Sequence, residues 1–472
     1  MMLVEPVYIY MLVAFTGLSI LLSLATFPLR PALGFWWAVM TIPLAAELFN
    51  IGTFTLVLPT DAFGLALGMI TFFYTIFLQP GILQQLWQKV TLFRWIALYF
   101  LWMGIATLFS SDMLVSMKFW IAQGAYFIAF GLGAVVWLYN RKPSYTPLSL
   151  YKNALFWTAA IVLLFCIKNH IYLGLSKINI WVTRPFLRDH TVYGAYTSWF
   201  FIASLVFLLY STSPVYLLLS ILTGAGLILS YSRGGWLSAL GALGLFGAVE
   251  GLRRLPPVLR VSFLGIGGGG LLVAIITLFQ YNPQILEIYA YQSGGEIGKH
   301  LTSSFDIREN ASNLERVNRW YAALQMFVER PIWGFGPNTF AQEYSAYQSS
   351  LTRTKISVEM GEVGGAHSEY LTAASEMGGP GLLLLIGIYL SSLITGLRSF
   401  LKARSRDKKA QYALLTFPLL TYYLHGFINN FMDHGHIAAL VYLHWGLLML
   451  LRLQEENLPS PHVPEKRLIP HL

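Results

Sequence analysis

The chain of 472 residues contains one cysteine, Cys166, so an intramolecular disulfide and a cysteine-based metal site are both excluded. Charge is equally scarce. Asp, Glu, Lys and Arg make up 11% of the residues, against about 25% in a soluble domain. The start, "MMLVEPVYIY", lacks the basic region and small-residue cleavage site of a signal peptide, so the first apolar run is expected to remain as a span. No internal repeat is visible of the kind that builds many transporters. The glycine run "GIGGGGLL" (265–272) lacks the lysine of a phosphate loop and lies inside an apolar run, where helix packing is its expected use.

Apolar sequence fills the space that charge leaves: 56% of the residues are hydrophobic. Runs fall near 7–27, 35–58, 62–79, 92–110, 117–138, 153–172, 192–210, 215–231, 235–250, 260–279, 377–397, 410–428 and 434–451. They predict an all-α, polytopic integral membrane protein with about 12–13 transmembrane helices. One long polar insertion interrupts them. The expected organisation is N-terminal transmembrane helices over 1–279, a large loop over 280–376, C-terminal transmembrane helices over 377–452 and a tail over 453–472.

Lysine and arginine set the orientation. "RSFLKARSRDKKAQ" (398–411), "LRRLPPVLR" (252–260), "NRKPSYTPLSLYK" (140–152) and the tail are expected on the cytoplasmic side. That accounts for the net charge of +9 without a nucleic-acid partner. Counting spans from these anchors puts the 280–376 loop outside, with the junctions at 110–112, 184–190, 230–235 and 429–436. Most of the unusual polar residues then share one face of the membrane.

Five constellations lie on that face. "RPFLRDHTVYGAY" (184–196) carries Arg184, Arg188, Asp189 and His190. It reads either as an interfacial belt anchored by Tyr193 and Tyr196 or as a cationic rim for an anionic headgroup. "LSYSRGGWLSAL" (229–240) places Arg233 at a span end, where a charge is costly unless paired or solvated. "SNLERVNRWYAALQMFVERPIWGFGPNTF" (312–340) predicts an amphipathic helix with a Ser312/Glu315 capping box and an apolar stripe at Val317, Trp320 or Tyr321, Leu324 and Phe327. Such a stripe serves packing or contact with the membrane. Arg316 and Arg319 share a face, as a solvated edge or as a fork for phosphate. Pro331 stops the helix, and "GFGP" makes a tight turn.

"GGAHSEYLTAASEMGGPG" (364–381) leads back into the membrane. His367 and Tyr370 share a helical face if the helix begins here, and His190, His434 and His436 compete with His367 for the role of a base. In "INNFMDHGH" (428–436), turn chemistry explains the Asn and Asp residues, and an aspartate with two histidines makes only a weak metal signal.

"SRGGWLS", "NLERVNRWYAALQMFVERPIWGFGPNTF" and "GGAHSEYLTAASEMGGPG", in this order around one large loop with "RDHTVYGAY" upstream, resemble the O-antigen ligase/polymerase superfamily. The resemblance covers about 180–395. It implies a bacterial inner-membrane, metal-independent, inverting glycosyltransferase of GT-C-like form, without a cofactor. Such an enzyme takes a glycan from undecaprenyl pyrophosphate at the periplasmic face. The acceptor is a hydroxyl of lipid A–core in ligases, of another lipid-linked glycan in polymerases, or of a protein in some relatives. Membrane lipids surround it. Carried over by motif, Arg233, Arg316 and His367 are the expected catalytic residues. Serine follows the histidine here, where many members have asparagine.

The residues support the same chemistry. Arginines hold phosphate and the charge that grows on it, with Arg188 and Arg319 as further candidates. An imidazole with a near-neutral pKa suits removal of a hydroxyl proton. Glu369 or Asp189 would orient it, with His190 and Tyr370 completing the expected substrate site. An anion transporter is the competing class, disfavoured by charges at the outer face rather than at mid-membrane.

Overall fold

The computed structural model describes residues 6–27, 29–51, 54–139, 146–173, 180–252, 311–348 and 364–457. The expected span at 260–279 with its glycine run, the 280–310 and 349–363 stretches of the expected loop and the tail beyond 457 lie outside the described residues.

Helices α1 (Pro6–Thr26) and α2 (Pro31–Thr41) lead through a 3-10 turn, Ile42–Leu44, into an antiparallel hairpin of β1 (Ala46–Ile51) and β2 (Phe54–Leu58). Next come α3 (Thr60–Phe73), continued by a π-turn to Leu78, then α4 (Pro80–Lys89) and α5 (Thr91–Leu108). A second π-segment joins α6 (Met113–Tyr126) to α7 (Gly133–Leu138), and a third joins α8 (Pro147–Leu150) to α9 (Phe156–Tyr172). Helices α10 (His190–Tyr210), α11 (Val215–Leu229) and α12 (Arg233–Leu252) precede the large loop. The loop contributes α13 (Ala311–Glu329) and α14 (Phe340–Tyr347). Helices α15 (Glu369–Lys402), α16 (Arg406–His425) and α17 (Gly435–Asn457) follow.

Among the described residues, seven stretches are long and apolar enough to cross a bilayer: Thr60–Leu78, Thr91–Leu108, Met113–Leu138, Pro147–Tyr172, His190–Tyr210, Glu369–Lys402 and Gly435–Asn457. Two shorter apolar stretches, Pro31–Leu44 and Val215–Leu229, accompany them, and α1, α12 and α16 occupy three more of the expected runs. The run at 35–58 is not one span. It breaks at Pro43 and continues as the hairpin, whose second strand, "FTLVL", is rich in the β-branched and aromatic residues that favour extended backbone.

Several helices begin with a first-turn proline or a capping side chain. Pro31, Pro80 and Pro147 stand at first-turn positions. Asp112 accepts from the amides of Leu114 and Val115 (both 3.1 Å), and Ser405 accepts from that of Lys408. The core centres on α17, buried from Gly435 to Leu450. Its His444 is fully buried, and its imidazole Nε2 pairs with the Tyr151 hydroxyl (2.8 Å), which also accepts from the Trp199 indole (2.8 Å). Nδ1 of His444 meets the Leu440 carbonyl. Such pairing is what an apolar interior requires of a polar side chain.

The expected outer junctions meet at one end of the bundle. Ser111 N donates to Phe335 O (2.8 Å), Ser116 Oγ to Pro337 O (2.8 Å), Glu47 N to Pro185 O (3.0 Å) and Glu369 N to Gly426 O (2.8 Å). At the other end, Arg406 reaches Leu209 O, Tyr412 pairs with Glu455, and Lys89 pairs with Asn457.

Candidate functional site

A kink in α15 builds the platform for the site. Gly378 adopts φ +66° and Pro380 follows, so the helical ladder breaks inside "EMGGPG". The freed carbonyls find outside partners. Ser375 O accepts from Phe335 N (3.0 Å), Glu376 O from Gly336 N (2.8 Å) and Met377 O from the Trp102 indole (2.8 Å). The Glu376 carboxylate receives the amides of Asn338 (2.7 Å) and Phe340 (3.1 Å), the latter at the start of α14. The turn after α13 is thereby clamped between α15 and the α5–α6 junction. It needs left-handed backbone at Gly334, Gly336 and Asn338. A side chain at Gly334 would overlap the Glu376 backbone, which explains the glycine there.

Helix α13 is held the same way. Its buried face is Glu315, Asn318, Arg319, Ala322, Ala323 and Met326, packed with Phe335, Phe340, Tyr344 and Ala366. The capping serine expected at 312 stands one residue inside the helix, which begins at Ala311. Arg319 Nε donates to Glu315 Oε1 (3.0 Å), its guanidinium lies 4.9 Å from the Tyr344 ring centroid, and its Nη1 reaches Gly364 O (3.3 Å) and Gly365 O (2.9 Å). The Trp320 indole donates to His367 O (3.2 Å). Arg319 and Trp320 therefore fix the backbone that carries His367.

His367 lies before α15. The helix starts at Glu369, Ser368 caps it by accepting from Leu371 N, and His367 itself has φ +50°. His367 and Tyr370 consequently do not share a helical face. Tyr370 donates to Tyr423 O (3.0 Å) and stacks on Phe427 at 4.3 Å, so it joins α15 to α16. Glu369 is likewise engaged elsewhere. Its Oε1 accepts from Tyr422 OH (3.0 Å), Phe431 N (2.6 Å) and Met432 N (3.2 Å), which binds the 426–432 turn to the head of α15.

Asp189 is the carboxylate whose charge acts on the His367 imidazole. Its Oδ1 caps α10, accepting from Thr191 N (2.7 Å), Thr191 Oγ1 (2.6 Å) and Val192 N (3.0 Å). Burial alone would raise its pKa. The Thr191 and Val192 hydrogen bonds and the charges of His434 and His190 outweigh that, and the net shift is downward. Asp189 also acts on Arg316, His367 and His425.

Arg233 enters at the head of α12. Tyr231 in left-handed backbone (φ +49°) and two glycines place it there. A side chain on Gly234 would overlap the His425 imidazole, and a Cβ on Gly235 would stand 2.9 Å from Gly194 O. The glycines thus let α12 press against α16 and α10. The charge of Arg233 reaches Arg316, whose pKa is lowered first by burial and then by Arg233, with Asp189 opposing. Burial, then Arg319 and Arg316, push the His367 imidazole down to about 3, against the pull of Asp189. The free site therefore holds a neutral imidazole far less basic than the near-neutral one expected.

Arg233, Arg316, His367, Asp189 and His190 are brought into one electrostatic cluster. Arg188 is exposed beside it. Arg319, Glu369 and Tyr370 are built into the scaffold. Two contributors escaped the sequence reading. His425 is fully buried within reach of Arg316, Asp189 and His190, with Nε2 at 3.0 Å from Asn429 Nδ2; a lone polar residue at the end of an apolar run was its only signal. Glu376, the last residue of the expected loop, had only the signal of a carboxylate directly before a predicted span. His434 lies 3.6 Å from Asp433 and 3.9 Å from Glu47. Among the described residues, no three His, Cys, Asp or Glu side chains gather as a metal-ligand set.

Residues 218–386 match the family model described as O-antigen ligase. That segment contains Arg233, Arg316 and His367. No curated protein gives a match to the chain.

Proposed function

We infer from the match of residues 218–386 to the O-antigen ligase family model that the protein moves an O-antigen or related glycan from undecaprenyl pyrophosphate to a hydroxyl of lipid A–core, at the periplasmic face of the bacterial inner membrane. The observation that carries this reading is the convergence of two arginines, a carboxylate and a neutral imidazole at one end of the bundle.

Pyrophosphate is a good leaving group, so charge stabilisation replaces acid catalysis. Arg233 and Arg316 hold the phosphates and the charge that grows as the bond to the anomeric carbon breaks. Arg188 extends the cationic rim toward the headgroup. His367 takes the acceptor proton while the hydroxyl attacks from the side opposite the leaving group, inverting the anomeric centre. Asp189 steadies the imidazolium that forms.

The low basicity of His367 in the free site has a mechanistic use. Its causes are burial and the charges of Arg319 and Arg316. Bound pyrophosphate offsets those charges, so the imidazole gains basicity once the donor is in place. Hydroxyls are then activated only when there is a sugar to receive them.

Purified protein, given a lipid-linked glycan and each acceptor in turn, tests the assignment. Transfer to lipid A–core identifies a ligase. Transfer only to a second lipid-linked glycan, or only to a polypeptide, replaces this acceptor with that one. His367→Ala should lower transfer by about 10²–10⁴ and leave donor binding in place. Loss in His190→Ala with survival in His367→Ala would move the base to His190. Cysteine labelling at Ser345 and Ser405 in intact cells tests the sidedness, and only Ser345 should react with an impermeant reagent.

A further inference from the structure

Helix α13 buries its small side. Ala322, Ala323 and Met326 point into the loop's own core, while Tyr321, Leu324 and Val328 lie on the opposite side and are exposed, Val328 to 72%. Their spacing of three and seven residues puts them on one face. The stripe does not end with the helix. Ile332 and Trp333 follow it in the turn, both exposed. Trp333 stacks on Phe109 at 4.3 Å and on Trp102 at 5.3 Å. Trp102 lies within the candidate span α5 and Phe109 directly follows it, and α5 exposes Leu101 to 60% and Leu108 to 66%. One apolar surface therefore runs from the bilayer-facing side of α5, across Trp333 and Ile332, onto the outer face of α13. A loop surrounded by water would turn such a face inward.

We propose that the Tyr321–Leu324–Val328–Ile332–Trp333 face of α13 rests in the outer headgroup layer of the bilayer, so that lipid covers it. Continuity with the bilayer-facing surface of α5 selects lipid as the occupant, and aromatic residues at the α5 end suit the interface. The consequence is positional. The N-terminal half of the same helix carries Arg316, with Arg319 and Trp320 holding His367. Anchoring the helix sets the height of that cluster at the lipid–water boundary. This placement stands independently of which glycan is transferred.

The test uses the full chain in nanodiscs, on a Cys166→Ala background, with a bimane fluorophore attached at single cysteines replacing Leu324, Val328 or Ile332. Leu383 of α15, exposed to 67% within a candidate span, serves as the lipid-facing reference. Retained monodispersity and melting temperature show that each variant is folded. The expected result is loss of emission with nitroxide-bearing lipids at all three positions, as at Leu383, and little loss with aqueous iodide. Quenching by iodide and not by lipid puts the face in water and overturns the proposal. Protection from both quenchers means that protein covers the face, and overturns it equally.

Discussion

The Arg319 guanidinium donates to the carbonyl of Gly365 at 2.9 Å, two residues before His367. One side chain of the loop helix thus sets the position of the residue expected to act as base, although the two elements are far apart in sequence. Arg319 does this while paired with Glu315 at 3.0 Å, both nearly excluded from solvent.

Breaking that pair should cost more than removing it. Arg319→Met leaves the Glu315 carboxylate buried and alone, a loss of about 3–5 kcal/mol, whereas replacing both partners with apolar residues of similar volume is often near neutral. Melting temperatures of Arg319→Met, Glu315→Met and the double variant form the cycle that measures this. A double variant as unstable as the sum of the singles would show that the pair is not coupled.

His367 sits at φ +50°, where an L-residue with a Cβ is disfavoured by about 1–2 kcal/mol. His367→Gly should therefore melt higher than His367→Ala, and both should lack transfer. Equal melting temperatures would mean that the backbone is relaxed at this position in solution.

The pH dependence follows from the depressed imidazole. Its pKa in the folded free site, about 3, lies below the ordinary 6.5. As pH falls through 6.5 the unfolded chain takes up this proton first. The stabilising contribution is therefore fully present above 6.5 and is lost progressively toward 3. For catalysis, kcat/KM reports the free enzyme and kcat the loaded one. The His367 limb of kcat/KM should stay flat over roughly pH 7 to 5, while kcat, measured with phosphate opposite the arginines, should fall at a higher pH. Identical acid limbs in both profiles would remove the donor-linked gain in basicity.

Arg233→Lys and Arg316→Lys keep the charge and lose the planar fork. Loss of one charge-assisted contact is worth about 1.5–3 kcal/mol, so transfer should drop roughly tenfold to a hundredfold. Assays at matched expression check this. Wild-type turnover in both variants would leave these arginines as parts of the scaffold.

The sequence by itself determined what depends on local composition. Apolar runs of bilayer length gave most of the helices, because hydrophobic length is a property of a contiguous segment. The caps at Asp112, Asp189 and Ser368 lie where short polar residues precede apolar runs. The order of motifs around one loop pointed to the superfamily and to Arg233, Arg316 and His367. Only the tertiary structure decided how the charged residues divide between scaffold and site. Arg316 and Arg319 look alike as two arginines three apart. Burial against Glu315 and the 364–365 carbonyls commits Arg319 to the scaffold. Glu369 and Asp189 stood as equal partners for the imidazole, until the 431–432 amides engaged the first and the cap of α10 directed the second toward the cluster. The break of the 35–58 run into a hairpin, the kink at Gly378 that receives the 331–340 turn, and the lowered basicity of His367 belong to the same class. Each depends on groups brought together from distant parts of the chain, and burial and charge act through space rather than along the sequence.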